Sequence, residues 1–303
     1  MKKILIAGIF LLAGFYALPQ QLPLYSQYTM NGFLLNPAMA GCVDYTPVRI
    51  TARQQWMGID GAPSTQAISA HTLLQNQKMG LGGYLFNDIF GPMRRSGIQA
   101  SYAYHLVLNR WDSKLAFGLS VTAFQFVMDE SQFTLYEPDD NAITYLSETN
   151  FVPDANFGMY LYGARYFAGL SAAQLFQWQV DMGDYELDVN KMVRHYFISA
   201  GYTFDLGKKF AMQPSFLVKT TELSPVQADV NIKGIYNETF WMGCTYRHDA
   251  DIIGIIGFKV DKFYMGYAFD YSLSNISNYT TGSHEIMIGF NFGESMGSGA
   301  SLL

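Results

Sequence analysis

The residue pattern closest to a catalytic motif is Gly293-Glu-Ser-Met-Gly297, which has the G-x-S-x-G spacing of a serine nucleophile elbow. Such an elbow holds its serine on a sharp turn between a strand and a following helix. The residues after Gly297 are too rich in Gly and Ser for that helix. We therefore expect residues 293–303 to form a flexible tail and not a hydrolase site.

Three other patterns indicate cofactor or metal chemistry only weakly. Gly80-Leu-Gly-Gly-Tyr84 lacks the third glycine of a dinucleotide fingerprint and a surrounding βαβ unit. Glu137, Asp139 and Asp140 lack the ligand spacing of a twelve-residue calcium loop. No H-E-x-x-H or comparable spacing relates the five histidines, which are His71, His105, His195, His248 and His284. The sequence therefore predicts no enzyme, no cofactor and no metal site.

Composition excludes further classes of protein. Aromatic residues make up 16% of the 303 residues and charged residues only 15%, whereas a typical globular domain carries about 25% charge. Disordered chains have the opposite bias. The net charge of −6, from 19 basic and 25 acidic side chains, is not that of a nucleic-acid binder. Cys42 and Cys244 cannot build a disulfide framework or a four-ligand zinc site, and whether they pair is open.

The N-terminal residues have the pattern of a secretory signal peptide. Met1-Lys2-Lys3 is a short basic region, residues 4–16 form an uncharged apolar run, and Ala17 is small enough for cleavage. We expect residues 1–17 to be removed on export. Beyond residue 17 no apolar stretch reaches 18 residues, so a membrane-spanning helix is not predicted.

Polar and apolar residues alternate in many of the later segments, as they do in strands with two different faces. In residues 226–233, one face carries Val230 and Ile232, and the other carries Asp229 and Lys233. The same alternation occurs in residues 49–55 and 263–272. Segments of this kind begin near residues 48, 64, 79, 94, 113, 154, 164, 193, 209, 226, 239, 251, 262 and 282.

The two faces favour a membrane barrel over a soluble sandwich. The segments are about ten residues long, which matches a tilted strand crossing a bilayer. Their apolar faces carry many Tyr, Phe and Trp, as membrane interfaces require, and the opposite faces are often Gly, Ala and Ser. We therefore predict an all-β, closed antiparallel transmembrane β-barrel of about 14 strands (12–16), formed by residues 48–292.

Three features do not fit a regular barrel. Pro214 lies inside the segment 210–221 and cannot donate a ladder hydrogen bond, so we expect a bulge or a strand end there. Residues 127–153 contain Glu137-Pro-Asp-Asp-Asn141 and Pro153 and are expected to be a long extracellular loop. Residues 172–192 are expected to hold a second long loop with a short helix.

Charged residues of both signs fall on the faces that would line the lumen. They are Arg49, Lys219, Asp229, Lys233, Arg247, Asp270 and Glu285. Mixed signs indicate salt bridges across a partly filled barrel, whereas an ion-selective pore would favour one sign. Residues 18–47 precede the first clear strand. We hypothesise that they fold against or into the lumen and bond to Arg49, Arg53 and Gln55; a loose periplasmic leader is the alternative.

A series of short strings runs in order along nearly the whole chain after residue 17. They are Leu24–Asn31, Leu35–Gly41, Arg53–Trp56, Gly61–Thr65, Asp88–Pro92, Tyr102–Tyr104, Pro153–Asp154, Asn156–Gly158, His195–Tyr196, Gly201–Tyr202, Pro214–Ser215, Val218–Lys219, Tyr246–Arg247, Gly266–Tyr267, Asp270–Tyr271 and Gly282–Glu285. Together they resemble the PorP/SprF family. The positions that we take as the motif residues are Ser26, Gln27, Tyr28, Asn36, Pro37, Gly41, Arg53, Gln55, Trp56, Gly91, Pro92, Tyr246, Arg247, His284 and Glu285.

The resemblance implies a non-enzymatic outer-membrane barrel of the type IX secretion and gliding apparatus of a Gram-negative bacterium, without a cofactor. One branch of such proteins joins the periplasmic ring of the secretion machine. Another branch holds the C-terminal sorting domain of a large surface protein or adhesin at the cell surface, and we favour this role. The expected partners are outer-membrane lipid, such a sorting domain and, for the first branch, the ring proteins; nucleic acid is not expected.

Three functions from other classes remain as alternatives. A diffusive porin or small-solute channel needs an open aqueous lumen. An outer-membrane lipase or protease needs a nucleophile with a base in reach, and no such pair emerges from the Ser and His positions. A soluble secreted sandwich would bury the aromatic faces between two sheets.

Overall fold

The computed structural model describes residues 22–23, 25–109, 112–129, 147–178, 192–222, 224–248 and 250–293. The predicted signal peptide, most of the tail, and residues 130–146 and 179–191 of the two predicted loops lie outside these residues. Among the described residues, no helix is long and apolar enough to cross a membrane.

The described residues form fourteen strands, the number that the alternation of polar and apolar side chains predicts. They are β1 (Thr46–Gln54), β2 (Ser64–Leu73), β3 (Met79–Phe90), β4 (Met93–Leu108), β5 (Ser113–Asp129), β6 (Ser147–Gly163), β7 (Tyr166–Ala173), β8 (His195–Tyr202, continued by Phe204–Asp205), β9 (Phe210–Thr221), β10 (Gln227–Tyr236), β11 (Phe240–Arg247), β12 (Asp251–Val260), β13 (Phe263–Ser272) and β14 (Ser283–Phe292). Short 3₁₀ helices span Gly32–Leu34, Pro37–Met39 and Asn275–Asn278.

Each strand pairs antiparallel with its neighbours in sequence, and β1 also pairs with β14, which closes the barrel. Closure gives every strand a paired neighbour on each side, as a hydrocarbon environment requires. The prediction of a closed antiparallel barrel is confirmed. A two-sheet sandwich is thereby excluded.

The connections differ between the two ends of the barrel. At one end, which we call the short-turn rim, they are residues 74–78, 109–112, 164–165, 206–209, 237–239 and 261–262. At the other end, the long-loop rim, they are residues 55–63, 91–92, 130–146, 174–194, 222–226, 248–250 and 273–282. This asymmetry is typical of bacterial outer-membrane barrels, whose periplasmic turns are short and extracellular loops long.

The outer surface is apolar and the inner surface is polar. In β12, Ile252, Ile256 and Phe258 are exposed on the outside. In β10, the side chains buried on the inside include Asp229 and Lys233. Since an exposed band of this size would be unfavourable in water, lipid is the solvent that suits the outer face.

Replacing Ile256 by arginine tests this assignment. Ile256 is 47% exposed at the middle of β12, and arginine at the bilayer midplane should lower the free energy of unfolding by about 2–4 kcal/mol. Val260 lies on the same face at the strand end, where Val260→Arg should cost only about 0–1 kcal/mol. Urea unfolding in lipid vesicles measures both variants. Equal costs would contradict a lipid-facing midplane at Ile256.

The expected bulge or strand end at Pro214 is wrong. β9 continues through Pro214, which faces Ile232 of β10. On the other side, β9 keeps the same register with β8 from Thr221 to Ala211, but the two pairs between Ser215 and Met212 are missing. In that register Pro214 lies opposite Tyr202, next to Thr203, which separates the two parts of β8. The missing N–H of proline therefore breaks the neighbouring strand's ladder and leaves its own strand intact.

The boundaries of the first long loop are also wrong. β5 extends to Asp129 and β6 begins at Ser147, so the segment between them is residues 130–146, not 127–153. Pro153 lies within β6 opposite Ala123. It is tolerated because β7 pairs with β6 only from Phe157 onward, so β6 has no ladder partner on its other side there. Similarly, residues 172 and 173 belong to β7.

Candidate functional site

The described part of residues 22–45, which we call the luminal segment, lies inside the barrel. At the long-loop end, Lys219 donates to the carbonyl of Leu22 at 2.9 Å. Halfway down, Asn31 donates to Ser69 Oγ at 3.0 Å. At the short-turn end, the segment enters β1 at Thr46. Because these partners are inward-facing residues on opposite parts of the wall, the segment runs through the lumen over its full height.

A buried ionic cluster holds the long-loop end of the luminal segment. Arg53 of β1 contacts Asp270 of β13 through Nη2 at 2.6 Å and Glu285 of β14 at 3.5 Å. Glu285 accepts hydrogen bonds from the backbone N–H groups of Ser26 and Gln27 at 2.7 and 2.9 Å. Ser26 Oγ also donates to Asp270 at 2.7 Å. We call Arg53, Asp270, Glu285 and Ser26 the latch.

The latch depends on the pairing of its charges because all its side chains are withdrawn from water. Arg53 and Ser26 are at most 3% exposed, and Asp270 and Glu285 are fully buried. Two carboxylates face one guanidinium, so the backbone N–H donors of the luminal segment share in balancing the second negative charge. The segment is thus bound to the wall by charge as well as by shape.

The middle of the luminal segment is fixed by Asn36. Its side chain caps the 3₁₀ helix Pro37–Met39 by accepting from Ala38 N–H, and its Nδ2 donates to the carbonyls of Met159 and Leu170 at 3.0 and 3.2 Å. Gly118 of β5 faces this turn so closely that a Cβ atom would collide with the backbone of Ala38. Glycine is therefore required where wall and segment meet.

Two histidines hold the short-turn end. Gly41, at φ 75°, donates its N–H to His71 Nδ1 at 3.1 Å. His105 Nε2 lies 2.8 Å from the carbonyl of Ala40, and its Nδ1 lies 2.9 Å from the hydroxyl of Tyr162. These contacts explain two of the five histidines without a metal or a catalytic role.

The remaining predicted luminal charges are all buried inside the barrel. Arg247 forms a two-pronged pair with Asp229, with distances of 3.0 Å from Nε to Oδ1 and 2.9 Å from Nη2 to Oδ2. Arg49 donates to the carbonyl of Phe290 and stacks on Tyr264. Lys233 Nζ lies 3.6 Å from Met30 Sδ of the luminal segment.

Of Arg49, Arg53 and Gln55, which we expected to bond to the luminal segment, Arg53 does so most clearly. Arg53 contacts Ser26 directly. The hydrogen bonds of Arg49 described above go to wall carbonyls. Gln55 follows β1 in the rim loop, where its N–H bonds to Pro63.

The other motif residues lie in the luminal segment, at the rim or on the outer face. Tyr28 and Pro37 are buried in the segment. Trp56 donates its N–H to Ser283 Oγ at 3.1 Å, which ties its rim loop to the start of β14. Gly91 donates its N–H to the carbonyl of Gly61 and so joins a second rim loop to the first. Pro92 follows Gly91 in the two-residue turn between β3 and β4. Tyr246 and His284 lie on the outer face of the barrel.

The sequence patterns considered for metal binding, disulfide formation and nucleophilic catalysis were compared with the described residues. No group of three His, Cys, Asp or Glu side chains there could hold a metal. Cys42 and Cys244 are both free. Of the G-x-S-x-G pattern only Gly293 is described, and the acidic group at 137–140 lies outside the described residues.

Sequence reasoning missed several residues that line the lumen. Asp88, Arg95 and Asp154 are buried on the inner face, although the alternation in β4, from Arg95 to Gln99 and Ser101, could have placed Arg95 there. β3 and β6 mix glycine and aromatic residues with a few acids, so their periodicity gives no such signal.

A closed barrel with an apolar outer surface and a polar interior defines an outer-membrane protein of the Gram-negative cell envelope. The model of the family "Type IX secretion system membrane protein PorP/SprF" matches residues 17–290, nearly the whole chain. The chain therefore belongs to the PorP/SprF family. This family and this fold are those of a secretion-associated outer-membrane protein.

Solved outer-membrane barrels are similar to this chain at low sequence identity. A FadL homologue of Pseudomonas aeruginosa is 8% identical with a TM-score of 0.49, covering 85% of this chain and 92% of that one. The CymD monoaromatic hydrocarbon channel is 10% identical with a TM-score of 0.49, covering 87% and 92%. Omp33 of Acinetobacter baumannii is 7% identical with a TM-score of 0.45, covering 83% and 99%. Comparison with curated proteins gives no match.

Proposed function

We propose that this PorP/SprF protein is a docking barrel that holds the C-terminal sorting domain of a secreted surface protein at its long-loop rim. The observation that carries the proposal is the luminal segment. Its described residues run through the lumen and are bonded to the wall near both ends. This arrangement favours a filled lumen over an open channel, and the rim is then the surface available for binding a partner.

The long-loop rim suits docking to an external partner. Its connections are the longer ones, and long loops on rigid scaffolds commonly carry binding sites. The loops after β1 and β13 support one another, because Met57 N–H bonds to Gly282 and Thr281 N–H bonds to Met57. Tyr279 between them is 76% exposed. Large exposed aromatic side chains on rigid loops are typical anchors of protein interfaces.

The second long connection is also attached to the wall at its base. Phe176 N–H bonds to Asp154, and Arg194 donates to the carbonyl of Leu175. Trp178, two residues after Phe176, is 48% exposed. We propose that this base and the loops 130–146 and 179–191 form the other half of the docking surface.

Binding of a purified sorting domain to the folded barrel tests the proposal. The domain is the C-terminal sorting domain of a type IX secreted surface protein from the same bacterium, and affinity is measured by surface plasmon resonance. Trimming both long loops, or the variant Tyr279→Ala, should weaken binding about tenfold or more. The matched control is Tyr236→Ala, since Tyr236 is exposed at the short-turn rim and should leave affinity unchanged.

Two results would contradict the docking role. The first is undiminished binding, and undiminished surface display of the cargo, after both loops are trimmed. The second is a loss of binding in Tyr236→Ala alone. Such a loss would place the sorting domain at the short-turn rim instead. If the barrel binds no sorting domain at all, attachment of periplasmic ring proteins becomes the better account of the chain's place in the secretion machine.

A further inference from the structure

Arg95 is a buried cation that lacks the partners of the other buried arginines. Arg53 and Arg247 have carboxylate oxygens at 2.6 and 2.9 Å. Arg95 is 7% exposed, makes no hydrogen bond to any described residue, and has its nearest carboxylate oxygen, on Asp88, at 3.8 Å. Its Nε is buried without a partner. A guanidinium withdrawn from water normally requires close acceptors.

The guanidinium of Arg95 lies against two aromatic rings. Its Cζ atom is 5.4 Å from the centre of the Phe86 ring and 5.6 Å from that of Phe124. These contacts hold the planar group in place but supply no acceptor to its N–H donors. Asp88 is itself engaged by the hydroxyl of Thr65 at 2.5 Å. The guanidinium of Arg95 is therefore held in place while its N–H groups make no hydrogen bond to a described residue.

Arg95 lines a cavity of about 70 Å³ between the luminal segment and the wall. Because about 10–15 Å³ of cavity volume holds one water, this cavity has room for a molecule of several non-hydrogen atoms. Its lining is mostly apolar and includes Leu35, Phe86 and Phe124.

The same cavity carries unused acceptors away from Arg95. Asp154 is 2% exposed; its Oδ1 accepts from Ala155 and Phe176, while its Oδ2 has no partner. Gln174 Oε1 is also buried without a partner. Asp154 faces Thr122, which faces Gln99, and Gln99 lies four residues beyond Arg95 on β4. At about 3.4 Å per residue, the two polar ends of the cavity are separated by more than the width of a ring.

We propose that this cavity is a binding site for a small organic carboxylate with an apolar body and a hydrogen-bond donor at its far end. The carboxylate accepts the N–H donors of Arg95, which match it as a planar fork. The apolar body lies between Phe86, Phe124 and the luminal segment. The donor bonds to Asp154 Oδ2 or Gln174 Oε1. The site is independent of cargo docking.

The probe is 4-hydroxyphenylacetate, and its neutral match is 4-hydroxyphenylacetamide. Binding to the detergent-folded barrel is measured by isothermal titration calorimetry, with folding checked by heat-modifiable gel mobility. The acid is expected to bind about tenfold or more tightly than the amide. Arg95→Gln should reduce the affinity for the acid to that for the amide. The matched control is Arg94→Gln, because Arg94 is the exposed neighbour on the same strand and should change nothing.

The acceptor end has its own test. Asp154→Asn should weaken binding of 4-hydroxyphenylacetate but not of phenylacetate, which lacks the hydroxyl donor. Equal affinity of the native barrel for acid and amide, or no binding of either acid, would overturn the proposal without needing any variant. Unchanged binding in a folded Arg95→Gln barrel would also overturn it, and Arg95 would then be a structural cation held by Phe86, Phe124 and Asp88.

Discussion

Replacing Arg53 by methionine is expected to lower the free energy of unfolding by about 3–5 kcal/mol, because it leaves two buried carboxylates without their cation. Asp270 and Glu285 are fully buried, and both contact Arg53. Their repulsion should also loosen the luminal segment, since Ser26 is bonded to both. We expect protease to cut the segment in the folded variant and not in the native barrel. Urea unfolding in vesicles and limited proteolysis measure the two effects.

Removing all three charges separates charge pairing from packing in the latch. In the triple variant Arg53→Met, Asp270→Asn and Glu285→Gln, no buried charge is left unpaired, so most of the lost stability should return. Arg94→Met is the control for loss of an exposed arginine and should be nearly neutral. A single Arg53→Met variant as stable and protease-resistant as the native barrel would contradict the latch.

Deleting residues 22–40 is expected to turn a sealed barrel into an open one. The fourteen-strand ladder does not include these residues, so the barrel should still close, although with a lower unfolding midpoint. The inner face carries charged groups that water can solvate once the segment is gone. A barrel of this size then encloses an aqueous channel. Uptake of a small sugar in a liposome-swelling assay should rise from background to a steady rate.

The control for this deletion is truncation of residues 294–303, which should leave sugar uptake at background. An equally heat-stable barrel with unchanged permeability after deletion of residues 22–40 would show that the segment neither fills nor stabilises the lumen. A loose periplasmic leader would then be the correct description of these residues.

The strands could be predicted from sequence because successive side chains of a barrel strand face the lipid and the lumen in turn. In residues 226–233 this alternation fixes the faces of Val230 and Asp229, and β10 follows it. The prediction fails where alternation is absent. Residues 147–153 contain a proline and no regular pattern, so the first part of β6, which pairs on one side only, was expected to be loop.

The luminal charges were predictable as a set but not as pairs. Alternation places Arg53, Asp270 and Glu285 on inner faces, yet their contact depends on β1 closing the barrel against β14, which no local pattern reveals. The path of the luminal segment is equally hidden, since Ser26 and Glu285 are far apart in sequence. Alternation in β4 could have placed Arg95 on the inner face, but its lack of a close partner could not be predicted, because a single arginine in a strand looks the same whether or not its partners are nearby.

We infer that the luminal segment closes this barrel and leaves its rim for docking. Recordings from the protein without its signal peptide in planar lipid bilayers test whether the lumen is closed. We expect no steady conductance from inserted, folded barrels, whereas barrels lacking residues 22–40 should conduct in the same membranes. A steady open current through the intact barrel would show an open lumen and favour a diffusive porin.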